Sequence, residues 1–112
     1  MSTEIFTVNE NDSVRLIKSI MRWKNIHHLP VINKANAIVG IISDSQISEE
    51  NIDHDASVKD IMVRDIKTAF PEMKIEDAKH IMLKNNIGCL PIIDLGELVG
   101  IVTRTDLEKL NL

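Results

Sequence analysis

The chain has 112 residues, one ordinary globular unit's worth, enough to bury roughly 65% of the surface an unfolded chain exposes. With a net charge of −4, from 13 Lys and Arg against 17 Asp and Glu, a nucleic-acid footprint, which calls for a concentrated basic surface, is not expected. Only Phe6, Trp23 and Phe70 are aromatic, which argues against a stacking platform for single strands and leaves the core to Ile, Leu, Val and Met.

No run approaches the ~18 unbroken apolar residues of a membrane span. Nor does the chain open with a basic start, an apolar run and a cleavage site. Cys89 is the single cysteine and has no partner for an internal disulfide. The expectation is a cytoplasmic protein in a reducing compartment.

In chain order, Ile5 to Val8 reads as a short strand. Asn11, Asp12 and Ser13 offer capping oxygens for a helix start. Val14, Ile17, Ile20 and Met21 share one helical face. Asn25 closes that helix, as a residue tolerant of left-handed backbone. His28–Ile32 and Ile38–Ile42 form a hairpin, and a short helix follows near Ser45–Glu49. Ser48 to Asp55 is polar and acidic and reads as a linker. Val58–Met62 reads as a short helix leading into a second set of the same elements. In that set Ile75, Ala78, Ile81 and Met82 share the helical face, and Asn86 closes the helix. Cys89–Ile93 and Leu98–Thr103 form the hairpin, joined tightly through Asp94-Leu95-Gly96-Glu97 with Gly96 free to take positive φ. A last helix runs near Thr105–Leu110.

The second set is a copy of the first. Residues 5–32 laid on 66–93 agree at ten of 28 positions without a gap, among them Thr7/Thr68, Asn25/Asn86, Leu29/Leu90 and Pro30/Pro91. Val39-Gly40-Ile41-Ile42-Ser43 returns as Val99-Gly100-Ile101-Val102-Thr103. Such internal repetition is the sequence signature of a duplicated unit. The division is residues 1–50 for the first copy (short at its N-terminus), 51–57 for the linker and 58–112 for the second. Each half alone leaves an apolar sheet face open. The expected fold is therefore α+β, two βαββα repeats packed sheet to sheet with approximate two-fold symmetry. A cleft where two such halves meet is a common ligand site.

Asp60-Ile61-Met62, Thr68, Leu90-Pro91-Ile92-Ile93-Asp94 and Gly100 to Asp106, in this order over nearly the whole chain, resemble the CBS-domain family in its paired form, the Bateman module. The resemblance implies a regulatory rather than catalytic role. The implied ligand is an adenine nucleotide or related adenosyl molecule (AMP, ADP, ATP or S-adenosylmethionine), with no cofactor required. Also implied are a homodimer through the helical faces and a regulated enzyme or transporter as partner. The alternative is a structural, dimerising CBS module that binds no ligand.

A strand-to-helix junction suits phosphate because helix starts expose unpaired N–H groups. The Thr103 hydroxyl can donate to phosphate or ribose, Arg104 can pair with phosphate, and Asp106 can accept from both ribose hydroxyls. The resemblance assigns those roles and adds Thr68, Ala69, Cys89, Leu90 and Pro91 as the adenine side of the site. The bland alternative is that Thr103, Arg104 and Asp106 merely start a helix.

The first copy departs from the pattern. Ser43 keeps the hydroxyl, but Asp44 stands for Arg104 and Gln46 for Asp106. A neutral amide is a poorer ribose acceptor, so one good nucleotide site per chain is expected. His27 and His28 precede Leu29-Pro30 and resemble the His-Arg-Leu-Pro run of AMP-activated kinase regulatory subunits, which implies a phosphate contact. The competing reading is a pair at a strand edge. Adjacent strand residues face opposite ways, and no carboxylate or cysteine cluster joins them, so no metal site is expected.

Overall fold

The computed structural model describes residues 5–48 and 51–109. The described residues form two compact units, one of Phe6–Ile66 and one that begins at Lys67 and also takes Ile5. Both contain the order helix, hairpin, helix, preceded by a short strand in the first unit and by a single bridging residue in the second.

In the first unit, β1 (Val8–Asn9) precedes α1 (Val14–Lys24), β2 (His28–Ile32), β3 (Ile38–Ser43) and α2 (Asp44–Ile47). The strand order is β1-β2-β3, with β1 parallel and β3 antiparallel to β2. The expected strand at Ile5–Val8 is shorter and shifted, because only Val8 and Asn9 find partners, in Val31 and Ile32.

The start of α1 is satisfied from a distance. Ser13 Oγ accepts the Leu16 N–H at 3.1 Å. Val14 N–H and Arg15 N–H donate to the carbonyls of Ala56 and His54, each at 3.0 Å. Three donors that a helix start leaves unpaired are thereby matched, two of them by the stretch between the repeats. Asn25 takes φ 54° and ends the helix, as expected. Val14, Ile17 and Met21 point inward against Leu29, Val31 and Ile42. Ile20 is only partly buried on the same face.

The segment after α2 belongs to this core. Val58–Asp60 forms a single 3-10 turn rather than a longer helix. Val58 and Met62 are buried with the α1 face, and Val63 exchanges two backbone hydrogen bonds with Ile41. The sequence repeat and the compact units thus divide the chain at different places. The reason is physical: Val58 and Met62 are apolar, and the β3 edge beside Ile41 offers the backbone pairing that Val63 needs.

The second unit holds α3 (Ile75–Asn85), β4 (Cys89–Asp94), β5 (Glu97–Thr103) and α4 (Arg104–Lys109). No side chain caps α3, whose N-cap is Lys74; Glu76 and Asp77 in its first turn face the positive helix end instead. Asn86 takes φ 51°. Ala69 repeats the role of Val8 as a lone parallel bridge to Ile92. Both hairpins shift register at the same place, between Val31 and Ile32 and between Ile92 and Ile93. The β4–β5 turn has Leu95 at φ 51° as well as Gly96 at φ 81°. Two consecutive positive φ values match the twist of a tight hairpin, and Leu95 accepts the strain while lying 96% exposed. Ala78, Met82, Leu90, Val102 and Leu107 make the core. The expected last helices reach, at their ends, Glu49 and Leu110, which lie outside the described residues.

Candidate functional site

The β5–α4 junction is built by reciprocal bonding. Thr103 N–H donates to Asp106 Oδ2 at 2.9 Å, and the Thr103 hydroxyl reaches the same oxygen at 3.2 Å. Asp106 N–H in turn lies 3.4 Å from Thr103 Oγ1. This is a capping arrangement, with the acid at the third helical position. It keeps Thr103 and Asp106 side by side, both half-buried. Both Thr103 contacts fall on Oδ2, so among the described residues Oδ1 accepts no hydrogen bond. The cap therefore engages one oxygen of the carboxylate.

Arg104 is exposed. Its N–H bonds the Gly88 carbonyl at 3.2 Å, and its guanidinium meets Asn86 Oδ1 at 3.1 Å. A neutral amide holds the guanidinium in place while leaving its charge unmatched. Cys89 pairs with Thr103 across the hairpin. Ala69 N–H donates to the Pro91 carbonyl at 2.9 Å, and the Ile93 N–H returns to Ala69 at 2.8 Å. The eight residues singled out in the second copy thus share one hairpin and its immediate neighbours. Ala69, Cys89, Leu90 and Pro91 are buried, and Leu90 is fully so. The groups presented to solvent are Thr68, Thr103, Arg104 and Asp106.

Burial pushes the Cys89 thiol up from 9.0 to about 12, with the nearby Asp106 charge adding to the effect. This thiol is not an activated nucleophile. The unfolded chain loses the proton near 9.0 while the folded chain keeps it to about 12. The resulting stability is complete below pH 9 and is lost as pH rises toward 12, by up to ~1.4 kcal/mol per pH unit. Cys89→Ala is therefore expected to lose less stability between pH 7 and pH 10 than the parent chain does. Parallel urea titrations at the two pH values check it; equal losses would refute the assignment.

The same junction in the first unit is spent internally. Gln46 Oε1 accepts the Ser43 N–H at 2.9 Å, and Gln46 Nε2 donates to the Ile61 carbonyl at 2.9 Å. His27 Nδ1 lies 2.6 Å from Asp44 Oδ2, and the Asp44 N–H bonds the His27 carbonyl. The sequence reading does not foresee this contact. The signal was present, however: the first copy exchanges both Gly88 and Arg104, for His27 and Asp44, and the two exchanged positions touch. His27 is thus engaged by a carboxylate. His28 is half-buried and pairs with Ser43 across the hairpin.

Two open depressions lie on the first unit. One, of about 560 Å³, is lined by Arg15, Lys18, Ser19, Arg22, Trp23 and His54. Another, of about 260 Å³, shares Lys18 and Arg22 with it and extends to His27 and Asp44. Among the described residues no group of three or more His, Cys, Asp or Glu is placed to hold a metal, and no helix is long and apolar enough to cross a membrane.

Comparison with known proteins adds family to geometry. An uncharacterised protein of Methanocaldococcus jannaschii is 42% identical over 109 residues, which cover 96% of this chain and 36% of that protein. An inosine-5′-monophosphate dehydrogenase of Thermoplasma acidophilum is 34% identical over 93% of the chain and 21% of its own length. The chain therefore spans about a third or less of these relatives. Among solved structures, the CBS domain pair of protein MJ0100, in complex with 5′-methylthioadenosine and S-adenosyl-L-methionine, superposes with a TM-score of 0.91 at 29% identity, covering 99% of this chain and 90% of that one. Residues 1–52 and 58–111 each match the CBS domain. The chain belongs to the CBS-domain family, and carries two of these domains in tandem.

Proposed function

We propose that the chain is a regulatory module that binds an adenosyl ligand at the β5–α4 junction of its second repeat. The observation that carries this reading is the Thr103–Asp106 pair. One carboxylate oxygen holds the cap and the other is left to accept from a ribose, with the Arg104 charge one residue away. Two vicinal hydroxyls and an adjacent phosphate or other anionic tail fit that set of one acceptor and one cation. The ligands of the MJ0100 domain pair share the adenosyl part, which supports the class of ligand. AMP, ADP and ATP are the finer alternatives within it. Cys89, Leu90 and Pro91 are buried here, so they serve by shaping the hairpin that presents the junction.

The first repeat is proposed to be silent toward that ligand, because Gln46 is bonded on both its oxygen and its nitrogen. The regulated partner is proposed to be an enzyme, attached or separate, in line with the enzymes among the relatives. A ligand shifts such a partner only by its differential affinity for two states.

Thermal melting with AMP, ADP, ATP, 5′-methylthioadenosine and S-adenosylmethionine, each alone, tests the reading. A true ligand at 100 times its dissociation constant adds ~2.7 kcal/mol. For a domain of this size that is a rise of roughly 10 °C. No rise with any of the five would leave the non-binding structural module as the better description.

A further inference from the structure

The chain is acidic overall, yet the charges of helix α1 are all basic. Between Val14 and Lys24, α1 carries Arg15, Lys18, Arg22 and Lys24 and no carboxylate. Arg15, Lys18, Ser19 and Arg22 recur at spacings of three and four, which places them along one flank of the helix. They line the 560 Å³ depression together with Trp23 and His54. That volume is in the range of small-molecule sites.

The placement is enforced by the fold. The His54 and Ala56 carbonyls cap the start of α1, and this brings the His54 ring to the end of the row of cations. Asp55 pairs with Arg15 at 3.2 Å, an ion pair exposed on both sides. Among the described residues, Lys18 and Arg22 have no ion pair. Lys24 Nζ sits 4.2 Å from the Trp23 ring centroid and 4.8 Å from that of Phe6. The indole, 78% exposed, thus has an ammonium near its ring and contributes to the lining of the depression.

We propose that this depression is a second ligand site, separate from the Thr103–Asp106 junction, for a linear polyanion of the condensed-phosphate type. Arg22 follows Arg15 by seven helical positions, roughly 10 Å along the axis. A single compact anion reaches one or two of these cations, whereas a chain of three phosphates can follow Arg15, Lys18 and Arg22 in turn. The Ser19 hydroxyl adds a neutral donor on the same flank. Such a chain comes either as free inorganic polyphosphate or as the tail of a nucleoside triphosphate, whose base Trp23 is placed to stack. The helix N-terminus contributes nothing here, because its first donors are already matched within the chain.

Trp23 is the only tryptophan, so its fluorescence reads this site and no other. Inorganic tripolyphosphate, which has neither ribose nor base, is the probe; it is titrated into the full chain at constant ionic strength. The expected result is a saturable change. Its midpoint should rise at least tenfold in Lys18→Gln/Arg22→Gln and stay put in Lys34→Gln, which removes an equal type of charge from the β2–β3 loop. Melting curves of the three variants show that each is folded, and calorimetric titration gives the same midpoints independently of the indole. A tighter midpoint for ATP than for tripolyphosphate, measured in Asp106→Asn, assigns the site to nucleoside triphosphates; equal midpoints assign it to the free polyanion. The proposal is overturned by a featureless titration, by an equal response to sulfate, by an equal response to an oligoglutamate peptide, or by an unmoved midpoint in Lys18→Gln/Arg22→Gln. None of these outcomes bears on the adenosyl reading of the second repeat.

Discussion

Gly40→Val is expected to lower the folding free energy by about 3 kcal/mol, at the upper end of what overpacking a tight core costs. Gly40 lies in β3 opposite Val31. A Cβ placed there would stand 2.5 Å from Met62 Sδ, 2.8 Å from Met62 Cγ and 2.9 Å from the Val63 carbonyl oxygen. Met62 is a flexible side chain and can yield part of that space. The carbonyl cannot yield so easily, because it accepts the Ile41 N–H at 3.0 Å and so fixes the edge of β3. A β-branched residue would otherwise favour a strand over glycine, by up to ~1 kcal/mol. The clash outweighs that preference.

Urea denaturation of Gly40→Ala, Gly40→Val, Met62→Ala and the double variant Gly40→Val/Met62→Ala checks it. Alanine should cost less than valine. The double variant should be more stable than the sum of the single losses predicts, since removing Met62 vacates two of the three clashing positions. Additive losses, or a Gly40→Val chain as stable as the parent, would show that residues 62–63 do not press on β3 as described.

This contact also shows what the sequence could and could not reveal. Gly40 stands out as part of a repeated strand motif, and Met62 as part of the Asp60-Ile61-Met62 signature. Their meeting was not legible, because an apolar residue carries no mark of which core receives it. The same holds for the carbonyls of His54 and Ala56 that cap α1. Backbone acceptors are present at every residue, so side-chain pattern gives no hint of the pairing. Features that depend on a residue's own conformational preference were readable: Asn25 and Asn86 take left-handed backbone, and Gly96 takes positive φ. Leu95 was not, since its strain is imposed by a two-residue turn between fixed strands. The candidate site lies between these cases. Thr103 and Asp106 lie three positions apart at a strand-to-helix junction that the sequence displays, and they meet in the cap, whereas the link from His27 to Asp44 shows only when the two copies are compared position by position.

Asp106→Asn is expected to abolish the ligand-induced rise in melting temperature while leaving the unliganded chain nearly as stable as before. The argument comes from the first repeat. There a neutral side chain, Gln46, accepts the Ser43 N–H at 2.9 Å, the same distance at which Asp106 accepts the Thr103 N–H. An amide oxygen is thus sufficient for the cap. What the amide lacks is a second acceptor oxygen and the negative charge that strengthens bonds from ribose hydroxyls. Asp106→Ala removes cap and acceptor together, so it should lower the unliganded stability by a further ~1 kcal/mol, the usual worth of a capping side chain. Gln46→Ala should lower the unliganded stability by a similar amount and leave the ligand-induced rise untouched. Melting of the three variants with and without the best adenosyl ligand separates the two roles. If Asp106→Asn kept the full rise, the carboxylate would be no more than a helix cap, and the binding site would have to be sought away from the β5–α4 junction.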